Sequence, residues 1–320
     1  MHISNISRRI LFGVALAAMG AGTSAQQFPS KPLKLVVPFP AGGTSDNVAR
    51  MLAHGLSEKL KQPVVVENKA GAGTVIGADA VAKSAPDGHT LLLTSPGVAI
   101  NAVMRKASLP YNTEADLEPV ATLAELPMAI YAAPSSGWAT LADVIAAAKA
   151  KPGAISYGTA GEGSTGHLSM KLLEQVAGIK LTHVPFQGSA PSMNALLGGQ
   201  LPISVDTAYL GAPHVASNKI VGVATLGATR SRLMANVPTA LEAGVRLQSA
   251  AWFGISVRAG TAAPIVAQLN AAISAVVKDQ KVRESLEKDG FQVIADTHPE
   301  AKARFKGELA KMSAVVRDSQ

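Results

Sequence analysis

Residues 33–50 read LKLVVPFPAGGTSDNVAR, in which an apolar run, a glycine loop and a helix start follow one another. The apolar run predicts a buried strand over Leu33–Val37, and Pro38–Gly43 forms the tight loop after it. A helix is expected from about Thr44, continued by apolar residues at helical spacing: Val48, Met51, Leu52, Leu56 and Leu60. A strand that passes through a short loop into a helix is the repeating unit of α/β folds.

The loop of this unit is suited to holding an anion. Gly42 and Gly43 have no side chains to cover their backbone N–H groups, and a helix start adds unpaired N–H groups and the positive end of the helix dipole. Suitable capping residues follow at once, namely Thr44, Ser45 and Asp46. Because the loop lacks the Gly-Lys-Ser/Thr ending of a phosphate-binding P-loop, a small carboxylate fits at least as well as a nucleotide. The alternative is that the glycines only make the turn.

Strands and helices alternate along most of the chain, which predicts an α/β fold with a mainly parallel sheet. Further strands are expected at Val64–Glu67, Thr90–Thr94, Met128–Ala132, Ile155–Gly158, Leu181–Val184, Ile203–Val205, Val221–Thr225 and Phe291–Ala295. Further helices are expected at Val75–Ala82, Thr140–Ala150, Ser192–Leu197, Pro264–Val277, Gln280–Lys288 and Pro299–Val316.

The amino terminus has the features of a secretory signal peptide over residues 1–25. Arg8 and Arg9 precede an apolar run from Ile10 to about Gly22, and small residues follow. The arginine pair also resembles a twin-arginine signal, but the mature chain has no cofactor motif that would demand export in the folded state, so the general secretory route is favoured. With no cysteine in the chain, neither disulfides nor a lipid-anchored cysteine is expected. The prediction is a soluble periplasmic protein.

Composition limits the possible partners. The chain has 320 residues, 48% of them hydrophobic and 16% charged, so it has ample material for a core and little tendency to disorder. Its formal charge of +7 is spread without basic blocks or interleaved aromatic residues. Nucleic-acid binding is therefore not expected.

A second glycine-rich loop, TAGEGSTGH over residues 159–167, repeats the order of strand, small residues, Ser/Thr cap and helix. Its Gly161, Gly163 and Gly166 match the spacing of the dinucleotide fingerprint. The acidic residue expected at the end of the next strand is missing, because that strand runs into Pro185. Nicotinamide binding is therefore disfavoured.

The remaining polar residues give no catalytic or metal-binding arrangement. The seven histidines do not pair at metal-ligand spacings, and no Gly-x-Ser-x-Gly elbow occurs, so no metal, cofactor or catalytic residue is expected. His167, at the second helix start, would either touch a ligand or cap and pack. Asp46 and Arg50 are spaced as a local ion pair. Asp206, at a strand end, would bind a ligand amine or hydroxyl, or only cap the next helix.

Several longer motifs occur in a fixed order: VPFPAGGTSD over 37–46, VENKAGAG over 66–73, PDGHT over 86–90, YGTAG over 157–161, STGH over 164–167, HVPF over 183–186 and PTALEAG over 238–244. Together they resemble the Bug-family solute-binding proteins of tripartite tricarboxylate transporters, and the resemblance covers essentially the whole mature chain.

The resemblance implies two α/β lobes around a ligand cleft, with 26–126 plus 251–320 in one lobe and 127–250 in the other. The chain would cross between lobes near Leu123–Pro127 and return near Ser249–Phe253. The loops Pro40–Asp46 and Thr159–His167 would face each other and hold a ligand carboxylate through backbone N–H groups and bridging waters.

The loop chemistry and the resemblance together give a candidate ligand-binding set: Phe39, Ala41, Gly42, Gly43, Thr44, Asp46, Ser95, Thr159, Ala160, Gly161, Ser164, Thr165, His167, Phe186 and Asp206. Phe186-Gln187 departs from the Tyr-Lys that the family commonly has there. Bulky substitution at Gly43 or Gly161 is expected to abolish binding and leave the fold intact.

The implied function is that of a monomeric receptor that delivers a small carboxylate to membrane permease subunits. The ligand would be a dicarboxylate, a tricarboxylate, an acidic amino acid or an aromatic acid. Two alternatives stay open: a ligand-binding subunit of a membrane sensor, and a secreted α/β enzyme acting on a carboxylic acid.

Overall fold

The computed structural model describes residues 28–317, so the predicted signal peptide lies outside the described residues. The strands are β1 (Leu33–Val37), β2 (Val64–Asn68), β3 (Thr90–Thr94), β4 (Leu117–Ala132), β5 (Ser156–Thr159), β6 (Thr182–Pro185), β7 (Ile203–Thr207), β8 (Val221–Thr225), β9 (Ala250–Arg258) and β10 (Gln292–Val293). The α-helices are α1 (Thr44–Leu60), α2 (Val75–Ala82), α3 (Pro96–Met104), α4 (Thr113–Asp116), α5 (Leu141–Ala150), α6 (Thr165–Ala177), α7 (Ser189–Leu197), α8 (Ala208–Ala216), α9 (Ala263–Val277), α10 (Gln280–Lys288) and α11 (His298–Arg317).

The strands form one mixed sheet in the order β2-β1-β3-β9-β4-β7-β5-β6, while β10 and β8 pair with β4 off this path. β1 is parallel to β2 and β3, and β5 is parallel to β6 and β7. In the middle, β4 and β9 run antiparallel to their neighbours. The α/β fold expected from the sequence is confirmed, with parallel strands flanking an antiparallel centre.

Strand β4 joins two halves of this sheet. Up to Pro127 it pairs with β9, and from Met128 it pairs with β7 and β8. We call β1, β2, β3, β9, β10 and the part of β4 up to Pro127 the first half-sheet. The second half-sheet comprises β5–β8 and the part of β4 from Met128. The loops that follow β1 and β5 therefore belong to different half-sheets.

The strand expected at Met128–Ala132 is longer in the structure, where β4 begins at Leu117. Pro119 and Pro127 argue in the sequence against a strand here, because proline has no backbone N–H to donate to a neighbouring strand. The pairing with β9 shifts register twice, between Pro119 and Ala121 and between Thr122 and Ala124. The bulge beside Pro119 lets the strand contain a proline that the local sequence would place outside a strand.

Helix α1 shows how packing positions the first loop. Its residues at helical spacing are buried and share one core with β1: Val48, Leu52, Leu56 and Leu60 on the helix, and Leu33, Leu35 and Val37 on the strand. Packing the helix onto the strand leaves the loop between them at the carboxyl end of β1, which is where ligands bind in α/β sheets. Over the described residues, no helix is both long and apolar enough to cross a membrane.

Candidate functional site

A cavity of about 180 Å³ lies between the two half-sheets, where loops from both meet. The first half-sheet contributes Pro38, Phe39, Pro40, residues 70–74 and Arg105. The second contributes Ala160, Gly161, Glu162 and residues 185–188. Lining residues are mostly glycine, alanine and proline, so backbone groups form much of the wall.

Asp46 holds the first loop in shape. Its Oδ2 accepts from the Gly42 N–H at 3.0 Å and from Arg50 Nε at 2.9 Å, and its Oδ1 accepts from Asn68 Nδ2 at 2.9 Å. Helix α1 is preceded by Gly43 as the N-cap residue, without a side-chain cap. The predicted Asp46–Arg50 ion pair is therefore confirmed. One of the N–H groups expected to be uncovered, that of Gly42, is bonded to Asp46.

The environment of Asp46 keeps it charged. Burial of the carboxyl would by itself raise its pKa, but the hydrogen bonds from Arg50, Gly42 and Asn68 bring the pKa below its usual value. A charged acceptor at the third position of the helix also complements the positive helix end. The carboxylate thus fixes the loop and accepts the hydrogen bond that the Gly42 N–H donates.

The second loop is held by its own side chains. Ser164 is the N-cap residue of α6, and its Oγ accepts from the His167 N–H at 3.3 Å. His167 Nδ1 in turn accepts from the Gly163 N–H at 3.2 Å. Thr159 Oγ1 lies 3.2 Å from both the N and the O of Gly161. His167 therefore has the capping and packing role that the sequence offered as one of its two alternatives.

His167 stacks on His183, with ring centroids 4.0 Å apart and planes at 10°. His183 Nε2 lies 2.8 Å from Thr159 Oγ1, which ties this pair to the second loop. Burial lowers the pKa of each imidazole to about 4, and nearby positive charge adds to the shift. Both rings are neutral at neutral pH.

Three contacts join the two half-sheets around the cavity. Thr44 Oγ1 and Thr207 Oγ1 are 2.8 Å apart, between the start of α1 and the end of β7. Arg105 Nη2 donates to Glu162 Oε2 at 2.8 Å, and Asn101 Nδ2 reaches the Gly163 carbonyl at 3.5 Å. The start of α1 is therefore linked to the end of β7, and α3 and Arg105 are linked to the second loop.

Asp206 ends β7 and is 3% exposed. Its Oδ1 accepts from the Thr207 N–H at 2.7 Å, immediately before α8, and burial raises the pKa of this carboxyl. The N-cap residue of α8 is Thr207, so Asp206 precedes the cap position. A role for Asp206 in ligand binding stays a prediction.

The predicted residues divide into two groups. Four line the cavity: Phe39, Ala160, Gly161 and Phe186. The others are not part of its lining: Ala41, Gly42, Gly43, Thr44, Asp46, Ser95, Thr159, Ser164, Thr165, His167 and Asp206. The residues that sequence reasoning missed, among those that line the cavity or join its walls, include Gly73, Thr74, Asn101 and Arg105. The only signal for any of them was the glycine-rich turn over residues 70–73.

Gly166, one of the three glycines that match the spacing of the dinucleotide fingerprint, has a packing role in the structure. A Cβ on Gly166 would lie 2.9 Å from the Val205 carbonyl oxygen, so this glycine permits close packing of α6 on β7. Within residues 28–317, no group of three or more His, Cys, Asp or Glu side chains could hold a metal ion.

Comparison with known proteins identifies the family. The model of the tripartite tricarboxylate transporter family receptor matches residues 48–320. The chain belongs to this family. BugT of Bordetella pertussis is 33% identical over 321 residues, covering 100% of this chain and 98% of BugT. The resemblance to Bug-family solute-binding proteins is thereby confirmed.

Solved structures of the same receptor family have the same fold. Rpa4515 of R. palustris, solved with adipate, is 31% identical with a TM-score of 0.86, covering 91% of this chain and 98% of that one. MatC from Rhodopseudomonas palustris, solved with bound malate, is 33% identical with a TM-score of 0.85, covering 90% and 100%. The chain is thus related over most of its length to periplasmic solute-binding proteins.

Proposed function

We propose that this chain is a periplasmic receptor that captures a small carboxylate between two lobes and delivers it to the permease of a tripartite tricarboxylate-type transporter. The observation that carries the proposal is one cavity that residues of both glycine loops line from opposite half-sheets, residues 38–40 before α1 and residues 160–162 before α6. Helix starts with exposed backbone N–H groups bind carboxylates without needing a cation.

The cavity sets the size of the ligand. A space of about 180 Å³ equals the liquid volume of about six water molecules at about 30 Å³ each, so it suits a small ligand. Arg105 lines this space together with Glu162, its ion-pair partner, so the wall contains a cationic group within reach of an acidic ligand. The adipate and malate held by Rpa4515 and MatC are acids of this class, which supports a short dicarboxylate here.

In this proposal the lobes are residues 26–126 with 251–320, and residues 127–250. They rotate about β4 and β9 to close on the ligand, and closure excludes water and signals occupancy to the permease. The mature protein acts as a soluble monomer after removal of residues 1–25. We expect it to bind without catalysing a reaction.

The first test is a thermal-shift screen of the mature protein against mono-, di- and tricarboxylates, acidic amino acids and aromatic acids. A ligand that binds only the folded state raises the melting temperature by mass action, by several degrees at 100 times its Kd. We expect a shift with short dicarboxylates. Folded, ligand-free protein that responds to no acid would overturn the proposal, and turnover of a bound acid would favour the enzyme alternative.

The partner is tested separately. Co-expression with candidate membrane subunits should allow the ligand-loaded receptor to recover a permease subunit. Recovery of a sensor kinase in its place would assign the same binding site to signalling.

A further inference from the structure

A second and larger cavity lies where the chain crosses between the two half-sheets. Its volume is about 790 Å³, against about 180 Å³ for the first cavity, and no residue lines both. Its lining includes both crossing segments, residues 125–127 of β4 and residues 248–250 at the start of β9, where Pro127 pairs with Ala250. We call this cavity the hinge groove. Its volume is within the range of about 300–1,000 Å³ that is usual for small-molecule sites.

The walls of the hinge groove come from both half-sheets. Residues 226–232 follow β8 of the second half-sheet, whereas residues 290–293 include β10 of the first. The two walls touch at one point, because a Cβ built on Gly290 would lie 2.9 Å from Leu233 Cδ1. A rotation of one half-sheet against the other therefore changes the shape of this groove.

Cationic side chains outnumber acidic ones in the lining of the hinge groove. The cations are Arg230, Arg232, Arg283 and Lys311, and the acids are Glu125 and Glu287. Two of the cations have partners: Arg230 Nε donates to both carboxylate oxygens of Glu242 at 3.0 Å, and Arg283 pairs with Glu287 at 2.7 Å. With these pairs set aside, two cations and one carboxylate remain, so the groove has an excess of positive charge.

The two remaining cations belong to different half-sheets. Arg232 starts a short helix that packs on α8, which follows β7 of the second half-sheet. Lys311 lies on α11, which packs on β4 and on α3, the helix after β3. Both side chains are exposed, and neither forms an ion pair with any side chain that the structure describes. Two like charges that line one groove repel each other, and an anion between them removes this repulsion.

We propose that the hinge groove binds a multivalent oxyanion between Arg232 and Lys311, and that the bound anion raises the affinity of the first cavity for its acid. An anion with several charged oxygens can meet cations on both walls, and bonds to charged groups are the stronger ones.

Such an anion contacts both half-sheets only when both cations line the same groove, as they do in this structure. It therefore favours the arrangement of the half-sheets that also forms the first cavity, and a ligand shifts an equilibrium by its difference in affinity for the two states. The coupling to the acid rests on the proposed function, whereas the anion site does not.

The test is isothermal titration calorimetry of the mature protein with pyrophosphate, which has several charged oxygens and no carboxylate. The titration is done at neutral pH and low ionic strength, since salt screens exposed charges. It is repeated with the best-binding acid of the screen at saturation, and the acid is titrated with and without pyrophosphate.

Two variants each remove one cation of the groove and keep a polar side chain, Arg232→Gln and Lys311→Gln. Arg246→Gln and Lys149→Gln are the matched controls. Arg246 and Lys149 are exposed, line neither cavity, and form no ion pair within the described part of the chain.

We expect one pyrophosphate to bind per chain, and each groove variant to raise its Kd by about threefold to tenfold, because a charge-assisted contact is lost at an exposed site. The control variants should stay within about twofold of wild type. Saturating acid should lower the Kd for pyrophosphate by about fivefold or more, and pyrophosphate should lower the Kd for the acid by the same factor, because coupling between sites is reciprocal. Without pyrophosphate, the groove variants should bind the acid like wild type.

The outcomes separate the anion site from the receptor function. If the acid binds but pyrophosphate does not, or if the acid displaces pyrophosphate, or if both groove variants retain full pyrophosphate affinity, the anion site is wrong and the receptor function stands. If pyrophosphate binds through Arg232 and Lys311 without any effect on the acid, the coupling is wrong. If it binds there and no acid of the screen binds, the receptor function and the coupling fall and the anion site stands.

Discussion

At the scale of single residues, the glycines of the two loops are not equivalent. Gly161 has φ of 129°, and a Cβ there would lie 3.1 Å from the Phe186 carbonyl oxygen. Gly43 has φ of −91°, and a Cβ there would meet only Ser189 Cβ at 3.6 Å, an ordinary contact. Alanine therefore fits at position 43, and only a bulkier side chain would press on Ser189 at the start of α7.

Gly161→Ala should lower both stability and affinity. A side chain at positive φ is disfavoured by about 1–2 kcal/mol, and the new methyl also pushes the Phe186 carbonyl away from the cavity wall. Urea unfolding should show this decrease in the free energy of unfolding. Calorimetry with the best-binding acid of the screen should show a Kd at least about tenfold higher, which corresponds to about 1.4 kcal/mol of binding free energy.

The matched control for Gly161→Ala is Gly137→Ala. Gly137 has φ of 73°, and its Cβ position has no atom within 4 Å. This variant should lose similar stability and retain full affinity. Equal affinities of the two variants for the acid would show that Gly161 is not part of the binding site.

At the scale of elements, the second loop depends on the stacked imidazoles of α6 and β6. His167 joins the start of α6 to Gly163, and its ring lies on His183. With its folded-state pKa at about 4 and an unfolded value of about 6.5, each histidine takes up its proton more readily when the chain unfolds. This packing is therefore sensitive to acid.

Stability should fall between about pH 6.5 and pH 4. In that window the unfolded state binds more protons than the folded state, so the free energy of unfolding decreases as the pH decreases, and the loss is complete below both pKa values. We expect wild type to lose about 1–3 kcal/mol more than His167→Asn between pH 7 and pH 4. Asn keeps an acceptor near Gly163 but cannot titrate.

Urea unfolding at several pH values measures this difference. His54→Asn serves as the control, because the His54 side chain is 77% exposed on α1. It should follow the wild-type pH profile. A His167→Asn profile that is also the same as wild type would contradict the neutral, buried state of the pair.

At the scale of the whole molecule, the closed arrangement depends on contacts between side chains far apart in sequence. Arg105 and Glu162 are 30% and 59% exposed, so their ion pair contributes about 0–1 kcal/mol. Both residues also line the cavity. The pair is thus placed to favour closure over the ligand.

Arg105→Glu should weaken binding of the screened acid by several-fold, because two carboxylates then face each other across the cavity. Adding Glu162→Arg should restore affinity to within about twofold, since a reversed pair is worth as much as the original. Calorimetry measures the affinity, and small-angle scattering of the ligand-loaded protein measures the closure.

Arg283→Glu is the control for Arg105→Glu, because Arg283 pairs with Glu287 at 2.7 Å within α10 and does not join the half-sheets. It should bind like wild type. If the charge-reversed pair at 105 and 162 binds as weakly as Arg105→Glu alone, Arg105 acts by contacting the ligand and not by holding the closed form.

The sequence by itself determined many of the helices and strands and the two glycine loops. The bounds predicted for β1, α2, β3, β8 and α10 agree with the structure. Local rules suffice here, because strand and helix periods, glycine turns and Ser/Thr caps act within a few residues. The ordered motifs also sufficed for the family, which the matched region confirms.

Only the tertiary structure decided how β4 runs and what surrounds the cavity. The segment from Leu117 to Pro127 is a strand because β9 and β10 supply its partners, although its prolines argue locally against it. Thr74 and Arg105 enter the site through contacts with residues that are distant in sequence. Thr74 has φ of 98°, and a positive φ on threonine has no sequence signature. Packing between elements outweighs local preference at such positions, so these contacts form only when the chain is folded.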